Sequence, residues 1–464
     1  MQIDFKDKLH QRYIEYTELY DNYENTWLDL RKLVGNKFDE SYISLPLPRT
    51  IVQTYSNLAF GNHISVSIKS NLEAHEAIND WIEDNDFNMI LSESSISQAI
   101  KGGIVFLNYL DNGMSRIKYI EPEYYFPEVS PIDRRKVLSE VIAIPYVEND
   151  KKYLHTETYQ KGENGNYLVT TQVFSYANDK QGKALSEPEI VDTGLTISPI
   201  TYIPFSRSGN SFYGDSIFAG LLSLFDVLNY RVSQINEILA LHADPSIVAD
   251  STLFDDDGNL NIKGSKVFEN NVDGEGKSGN QPLYYLTWNG QLGSNFKLIN
   301  EILLEIMKYA SPFLNPALNG MDKTSQASGR AIKLKSHNTQ AMVERSYQYW
   351  RRGIKKILLT AQQLQVLSGE KTYTPTPVKV ELSQMLPDDD LEMAQAEQLK
   401  VQSGLSSKKS AIARLNKSLS SQQVEEEFLE ILEEQNQNNQ QTFMSDMLGF
   451  GRNNTQQGNN LDES

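Results

Sequence analysis

The chain has 464 residues, carries a formal net charge of -18 at pH 7 and contains no cysteine. Its length allows several buried cores, so we expect roughly two to four domains. The lack of cysteine excludes disulfides, iron–sulfur clusters, thiolate zinc sites and thiol nucleophiles, and it favours an unsecreted, cytosolic protein. The acidic balance argues against a body that wraps nucleic acid with a general basic surface, because binding phosphate needs local Lys and Arg.

The amino-terminal end is amphipathic and Tyr-rich, and it has neither the basic start nor the apolar core of a signal peptide. No apolar run in the chain is long enough to span a membrane. These two observations predict a soluble protein with no membrane partner.

The first 209 residues are expected to form an α+β region that begins with helices. Residues 1–36 have the pattern of one or two polar helices. Pro46 and Pro48 predict an extended connection, which leads into a short helix ended by Gly61. Residues 63–69 alternate as a strand.

The pattern then changes from helices to strands. Residues 72–85 and 87–103 are two amphipathic helices, the second closed by paired glycines. Residues 104–120 predict a hairpin, because the Asn-Gly pair at its centre supplies the positive φ angles of a tight turn. Residues 136–205 continue as a meander of antiparallel strands.

A long helix with one apolar stripe is predicted from Gly214 to about Ala243. At 1.5 Å per residue it would be roughly 40 Å long, which suits a helix that spans a structure. A second helix should start at the N-cap residue Ser294 or Asn295 and stop before Pro312, and we expect the two to form an antiparallel pair. The residues predicted to pack this pair are Ile217, Leu221, Leu224, Leu228, Val232, Ile235 and Leu239 on the first helix, and Ile299, Ile302, Leu303, Ile306 and Met307 on the second.

The remaining segments are an insert and a helical carboxyl-terminal part. Residues 245–292 contain short strand patterns, a DDDGN turn and a glycine-rich loop, which predict a small β insert. A loop with two prolines, a third helix and a returning strand follow within 312–385, and short capped helices occupy 386–435. Residues 436–464 are rich in Asn, Gln and Gly and are expected to be disordered.

No catalytic constellation is evident in the sequence. The six histidines lack metal-ligand spacing, and neither GxxxxGK[ST] nor GxGxxG occurs. The acidic runs at 255–257 and 388–390 are interpreted as a hairpin turn and a helix start, and the Ser-x-x-Lys spacing at 406–409 as a helix cap. We therefore expect no metal, no cofactor and no enzymatic activity.

Positive charge is concentrated in one part of this acidic chain. Between Arg330 and Lys356 the only acidic residue is Glu344. A solvated helix face or salt bridges to acidic neighbours would explain the concentration, and so would a surface passed by a polyanion. The basic residues are Arg330, Lys333, Lys335, Arg345, Arg351, Arg352, Lys355 and Lys356.

Four motifs follow one another along the chain. They are PLPRTIVQTYSNLAFGNHISVSI, SPITYIPFSRSGNSFYGDSIFAGLLSLFDVLNYRVSQINE, SGRAIKLK ahead of a long helix, and GLSSKKSAIARL ahead of an acidic helix. Together they resemble the bacteriophage portal proteins of the SPP1-like (Gp6-like) group, in the order that this family keeps. The resemblance spans positions 46 to about 435.

The resemblance implies an α+β portal fold with an α/β wing, a two-helix stem, a small β-containing clip and a helical crown. The implied segments are wing 1–209, first stem helix 210–244, clip 245–292, second stem helix 293–311, tunnel loop 312–327, long helix and returning strand of the wing 328–385, crown 386–435 and a tail at 436–464. The Gly- and Asn-rich insert departs from the family pattern, so its own fold is not implied.

The resemblance also implies a function. Twelve subunits would form a ring at one capsid vertex, through which double-stranded DNA is packaged and later ejected. The implied partners are the terminase large subunit, a head–tail adaptor protein, and the major capsid and scaffold proteins, with assembly in the host cytoplasm.

Two sets of residues are implied to lie near DNA. The tunnel loop would place Asn315, Asn319, Asp322, Lys323 and Thr324 in the channel, and Arg330, Lys333 and Lys335 would face DNA or a neighbouring subunit. A buried corner between helices is the alternative for the loop, because Phe313, Leu314 and Leu318 are apolar enough to pack. For the whole chain, the alternatives are a capsid-associated nuclease, which the acidic clusters would serve, and a monomeric scaffold or adaptor.

Overall fold

The computed structural model describes residues 3–21, 43–209, 211–243, 247–249, 283–285, 292–314, 337–382, 390–416 and 423–433. The chain divides into two compact units. The first unit takes in residues 1–325 and 334–385, and the second takes in residues 326–333 and 386–464. Helices and strands both occur, which confirms the predicted α+β class.

Helices form the beginning of the first unit: α1 (Lys8–Asp21), α2 (Leu47–Phe60), α3 (Leu72–Asp84) and α4 (Phe87–Lys101). The side chain of Asn71 caps α3 by accepting a hydrogen bond from the backbone N–H of Ala74 at 3.1 Å. The extended connection predicted at Pro46 and Pro48 is wrong, since α2 already begins at Leu47. A proline is accommodated in a first helical turn because the N–H that it lacks would have no partner there.

The strands that follow are β1 (Ser65–Ser67), β2 (Gly103–Asp111), β3 (Met114–Ile120), β4 (Tyr125–Val129), β5 (Val137–Glu148), β6 (Lys151–Lys161), β7 (Tyr167–Ala177), β8 (Lys180–Ala184), β9 (Glu189–Asp192) and β10 (Ile200–Pro204). The hairpin of β2 and β3 is confirmed, with φ angles of 50° at Asn112 and 80° at Gly113. Strands β5, β6 and β7 confirm the predicted meander, β4 and β8 extend it on its two sides although we did not predict them, and β9 pairs with β7.

Strand β10 does not continue the meander as we predicted. It pairs antiparallel with β2, with Ile200 opposite Leu107 and Pro204 opposite Gly103. Four of its five residues are buried, so both of its faces are covered. A strand of this kind belongs to the central sheet of order β10-β2-β3, whereas the strands of the meander are more exposed.

The rest of the first unit consists of α5 (Leu222–Ala243), β11 (Ile247–Ala249), β12 (Leu283–Tyr285), α6 (Leu292–Lys297), a π-helical segment (Leu298–Leu303), α7 (Leu304–Ala310), α8 (His337–Leu367) and β13 (Lys379–Glu381). Strand β13 is the predicted returning strand, and it pairs antiparallel with β1. Strands β11 and β12 pair with each other and are the described part of the predicted β insert. The DDDGN turn lies outside the described residues.

Helix α8 lies in the core of the first unit and crosses β10 closely. A Cβ atom added to Gly353 would lie 2.3 Å from the Cδ1 atom of Ile203, so only glycine fits there without a shift. Tyr347 and Trp350 on the same helix are both 0% exposed. The helix therefore joins the central sheet to the amino-terminal helices.

A buried hydrogen-bond network connects three helices around Trp350. Its Nε1 donates to Oε1 of Gln98 on α4 at 3.1 Å and to the hydroxyl of Tyr55 on α2 at 3.2 Å. The Tyr55 hydroxyl also contacts Oγ of Ser346 at 2.7 Å, and the Gln98 amide donates to the carbonyl of Pro204 at 3.1 Å. Every polar side chain of the network has a partner, as buried polar groups require.

The second unit contains α9 (Asp390–Gln402), α10 (Lys408–Leu415) and helical residues at 423–433. The predicted cap at 406–409 is confirmed, because Oγ of Ser407 accepts a hydrogen bond from the N–H of Ser410. Glu397 on α9 is 7% exposed and receives two hydrogen bonds from Nε of Arg414 at 3.0 Å and one from its Nη2 at 2.6 Å. Lys400 donates to the same carboxylate at 2.8 Å.

We expect Glu397→Gln to loosen α9 and α10. The hydrogen bonds from Arg414, then those from Lys400, lower the pKa of Glu397 from 4.5 to about 2. The stabilisation is thus complete above pH 4.5 and is lost as the pH falls from 4.5 toward 2. Amide hydrogen exchange within 390–415 should be faster in the variant at neutral pH, and the difference should vanish at the acidic end of that range. Glu427→Gln is the control, because Glu427 is exposed in the same unit; equal exchange in all three proteins would contradict the prediction.

Candidate channel-forming elements

The helix α5, predicted to be the first stem helix, is shorter than expected. It begins at Leu222 instead of Gly214, because residues before it use their backbone N–H groups elsewhere. The N–H of Asp215 donates to the carbonyl of Ser206 at 2.7 Å, and that of Ile217 donates to the carbonyl of Ala99 at 2.9 Å. Gly220 then takes a φ angle of 81°, which a helix does not contain.

The second stem helix begins at Leu292, slightly before the predicted N-caps Ser294 and Asn295. It ends at Ala310, ahead of Pro312 as predicted. The π-helical segment between α6 and α7 packs against α5. Strands β11 and β12, which follow α5 and precede α6, are antiparallel, as expected for a chain that goes out and returns.

The stripe residues divide into three groups. Leu221, Leu228, Ile235 and Ile299 are buried, together with Ile217, Leu303 and Met307. Leu224 and Val232 are partly buried against the same core. Leu239 and Ile306 are 49% and 46% exposed, so each is about half covered, and for Ile302 only the helical backbone is described. Phe225 and Ile238 are buried although we did not predict them, because the apolar face is wider than the stripe that we read.

Polar side chains on α5 hold the chain segment that precedes α2. Oδ1 of Asn229 accepts a hydrogen bond from the N–H of Leu45 at 3.1 Å. One turn further, Oγ of Ser233 accepts from the N–H of Ile43 at 2.8 Å. Asn229 and Ser233 are both buried, so these bonds join the stem helix firmly to the amino-terminal part.

The predicted tunnel loop has two well-anchored ends. Phe313 and Leu314, which we placed in the loop, are both 0% exposed and belong to the core. Their burial is what the buried-corner alternative expects of these two residues. Oγ1 of Thr339, at the start of α8, donates to the carbonyl of Pro312 at 2.7 Å. Pro312 and Thr339, which flank this segment, are thus held together.

The candidate DNA-facing residues themselves lie outside the described part of the chain. This applies to Asn315, Asn319, Asp322, Lys323 and Thr324 of the loop, and to Arg330, Lys333 and Lys335. Both interpretations of the loop, a channel loop and a buried corner, stay predictions for residues 315–327.

The described basic residues between His337 and Lys356 have different surroundings. Arg351 forms a salt bridge with Glu344 at 2.7 Å, which agrees with the salt-bridge interpretation. Lys356 donates a hydrogen bond to the carbonyl of Ile200, and its burial lowers its pKa. Arg352 and Lys356 line a cavity beside β10. The stretch is therefore not one uniform basic surface.

The described ranges contain neither a candidate metal site nor a helix that could span a membrane. They contain no group of three or more His, Asp or Glu side chains placed to hold a metal ion. None of their helices is long and apolar enough to cross a membrane.

His10 has a structural role, since its ring contacts Asp7 at 2.7 Å and the carbonyl of Glu123 at 2.9 Å.

A helix pair joined by a β insert, followed by an anchored loop and a long core helix, is the arrangement expected of a phage portal protein. The model of one portal family, described as phage portal protein, SPP1 Gp6-like, matches residues 4–441. The chain therefore belongs to this family of structural proteins, which form a channel at a capsid vertex in the virion. Portal proteins assemble as oligomeric rings with capsid-related partners.

The comparisons with curated proteins and with solved structures add less information about the family. No curated protein matches the chain. Among solved structures, it is similar to a chain from the "Neck of native GTA particle computed with C12 symmetry", at 12% sequence identity and a TM-score of 0.42. That similarity covers 83% of this chain and 91% of the other.

Proposed function

We propose that twelve copies of this chain form a ring around a channel for double-stranded DNA, used in packaging, retention and ejection. The observation that carries this proposal is the packing of α5 against the π-helical segment, with a β insert at one end of the pair and an anchored loop after the other. In such a ring the helix pair forms the stem, residues 245–292 the clip and residues 315–327 a loop in the channel. Residues 1–209 and 328–385 form the wing, and residues 386–435 the crown.

The net negative charge of the chain supports its proposed role as a channel for DNA. A net charge of -18 gives each subunit a mostly negative surface, which lets DNA slide without strong binding. Lys323 meets phosphates only transiently in this arrangement. The ring has no catalytic role of its own and offers docking surfaces to the terminase large subunit, a head–tail adaptor protein, and the major capsid and scaffold proteins. It assembles in the host cytoplasm and stays at the capsid vertex.

Negative-stain microscopy of the purified chain tests the ring, and a loop variant tests the channel. We expect rings with a central hole. Deletion of residues 319–323 should leave the rings intact and cause defective packaging or leakage of DNA from filled capsids. The reason is that Phe313, Leu314 and Thr339, which anchor the loop, are untouched.

The control replaces residues 319–323 with a Gly/Ser segment of equal length, which keeps the reach of the loop and removes its side chains. Monomers of the unaltered chain would refute the ring. Insoluble or unassembled subunits from the deletion would refute the channel placement of the loop in favour of a buried corner.

A further inference from the structure

A cavity of about 310 Å³ lies between the central sheet, the meander and α8. Its cationic lining residues come from three separate parts of the chain. Arg135 precedes β5, Arg207 follows β10, and Arg352 and Lys356 lie one turn apart on α8. The acidic residue in the lining is Glu140 on β5. The cavity therefore has a formal excess of three positive charges in a chain that is strongly acidic overall.

The carboxylate of Glu140 already accepts hydrogen bonds from two side chains. Glu140 is 7% exposed, and its carboxylate accepts hydrogen bonds from the hydroxyl of Tyr125 at 2.8 Å and from that of Ser198. Within the described residues, none of the four cations has a carboxylate at ion-pair distance. Burial lowers the pKa of Lys356 and the charge of Glu140 opposes this effect, so Glu140 offsets one of the four positive charges and three are left over.

Arg207 is held in place by aromatic rings instead of acids. Its guanidinium lies 5.3 Å from the ring centre of Phe212 and 5.9 Å from that of Tyr202. Its Nε is buried, and in the described structure it has no hydrogen-bond partner. Burial lowers the pKa of Arg207, and the nearby Arg135 and Arg352 lower it further. The rings fix the guanidinium, while one of its donors stays unsatisfied.

A second polar group in the cavity lining is also buried without a hydrogen-bond partner in the described structure. Thr201 on β10 lines the cavity and is 4% exposed, yet its Oγ1 has no hydrogen-bond partner among the described residues. Buried polar side chains are nearly always paired, so a hydroxyl and a guanidinium nitrogen that belong to the lining of one cavity, and that both lack a partner in the described structure, indicate that this cavity takes a ligand. A hydrogen-bond acceptor would satisfy both atoms, and a negatively charged acceptor would also offset the excess of positive charge in the lining.

We propose that this cavity binds one phosphate group per subunit. A phosphate dianion offers several acceptor oxygens and balances more of the excess charge than a single carboxylate does. The volume suits a small anion, and it is too small for a DNA duplex. Arg135 and Arg352 are exposed, so the site opens to solvent on their side. The bound anion would link the meander, β10 and α8 through the positive charges that Glu140 does not offset.

Isothermal titration of the full chain with inorganic phosphate, at constant ionic strength in chloride, tests the proposal. We expect one site per chain and a rise in Tm with phosphate concentration, because a ligand that binds only the folded state stabilises it. Arg207→Gln should weaken binding at least about tenfold, about 1.4 kcal/mol. Thr201→Val, which keeps the shape and removes the hydroxyl, should weaken it by a smaller factor.

Arg345→Gln is the matched control, because Arg345 is exposed on the same helix as Arg352 and does not line the cavity. A nucleoside monophosphate added in place of inorganic phosphate separates a free ion from a phosphomonoester as the source of the group. Absence of binding to both would overturn the proposal. So would equal binding by acetate, or binding that Arg207→Gln and Arg345→Gln change to the same extent.

Discussion

Replacing Trp350 with Ala is expected to lower the free energy of unfolding of the first unit by about 3–5 kcal/mol. The indole is 0% exposed and packs edge-to-face on Phe60, with 4.7 Å between the ring centres. Its removal leaves a large cavity and deprives Gln98 and Tyr55 of a buried hydrogen-bond donor. Denaturant unfolding followed by fluorescence would measure the loss.

Trp350→Phe separates the two contributions. It keeps most of the ring volume and removes the Nε1 donor, so it should cost clearly less than Trp350→Ala. A loss below about 1 kcal/mol for the Ala variant would show that the core of the first unit does not depend on this network.

Replacing Leu228 with Asp is expected to abolish ring assembly. Leu228 is 1% exposed on α5, and an unpaired carboxylate at this place costs several kcal/mol in each subunit. In a closed ring the same defect recurs in every copy, so its effect on assembly multiplies. Analytical ultracentrifugation would show whether rings form.

Ser223→Asp is the matched control, because it adds the same charge at an exposed position of the same helix. This variant should sediment as rings. Normal rings from Leu228→Asp would show that this face of α5 is not needed for the fold of the stem.

Local signals in the sequence predicted their structures well. The Asn112–Gly113 turn, the end of α4 before Gly102 and the stop of the second stem helix before Pro312 each depend on the φ angle or the missing donor of one residue. These constraints act over a few residues, and the printed sequence contains all of them.

Pairings between distant residues could not be predicted in the same way. The partner of β10 is decided by burial of Ile200 and Ile203 against elements about a hundred residues away, and no local pattern contains that information. The start of α5 depends on hydrogen bonds from Asp215 to Ser206 and from Ile217 to Ala99, which are tertiary as well.

The residues that line the phosphate cavity could not be grouped from the sequence either. Arg352 and Lys356 were visible as part of a basic stretch, because they lie four residues apart on one helix. Arg135 and Arg207 come from other elements, and nothing in their sequence neighbourhoods relates them to α8. On α5, the sequence predicted the burial of Leu228 and Ile235 correctly. The burial of Phe225 and Ile238, which widens the apolar face, became visible only in the packed structure.

The hydrogen bond between Thr339 and Pro312 holds together the two ends of the segment between them. Because the ends are fixed, other sequences can replace part of this segment. The free energy of closing a loop grows only slowly with its length, by about 0.6 kcal/mol for each doubling. Insertions, deletions and transplanted sequences within residues 315–325, which leave the buried Phe313 and Leu314 in place, should therefore change little in the stability of the surrounding core. Under the proposed channel placement of this segment, chimaeras that carry foreign sequences here would change the wall that DNA passes while the same core continues to fold.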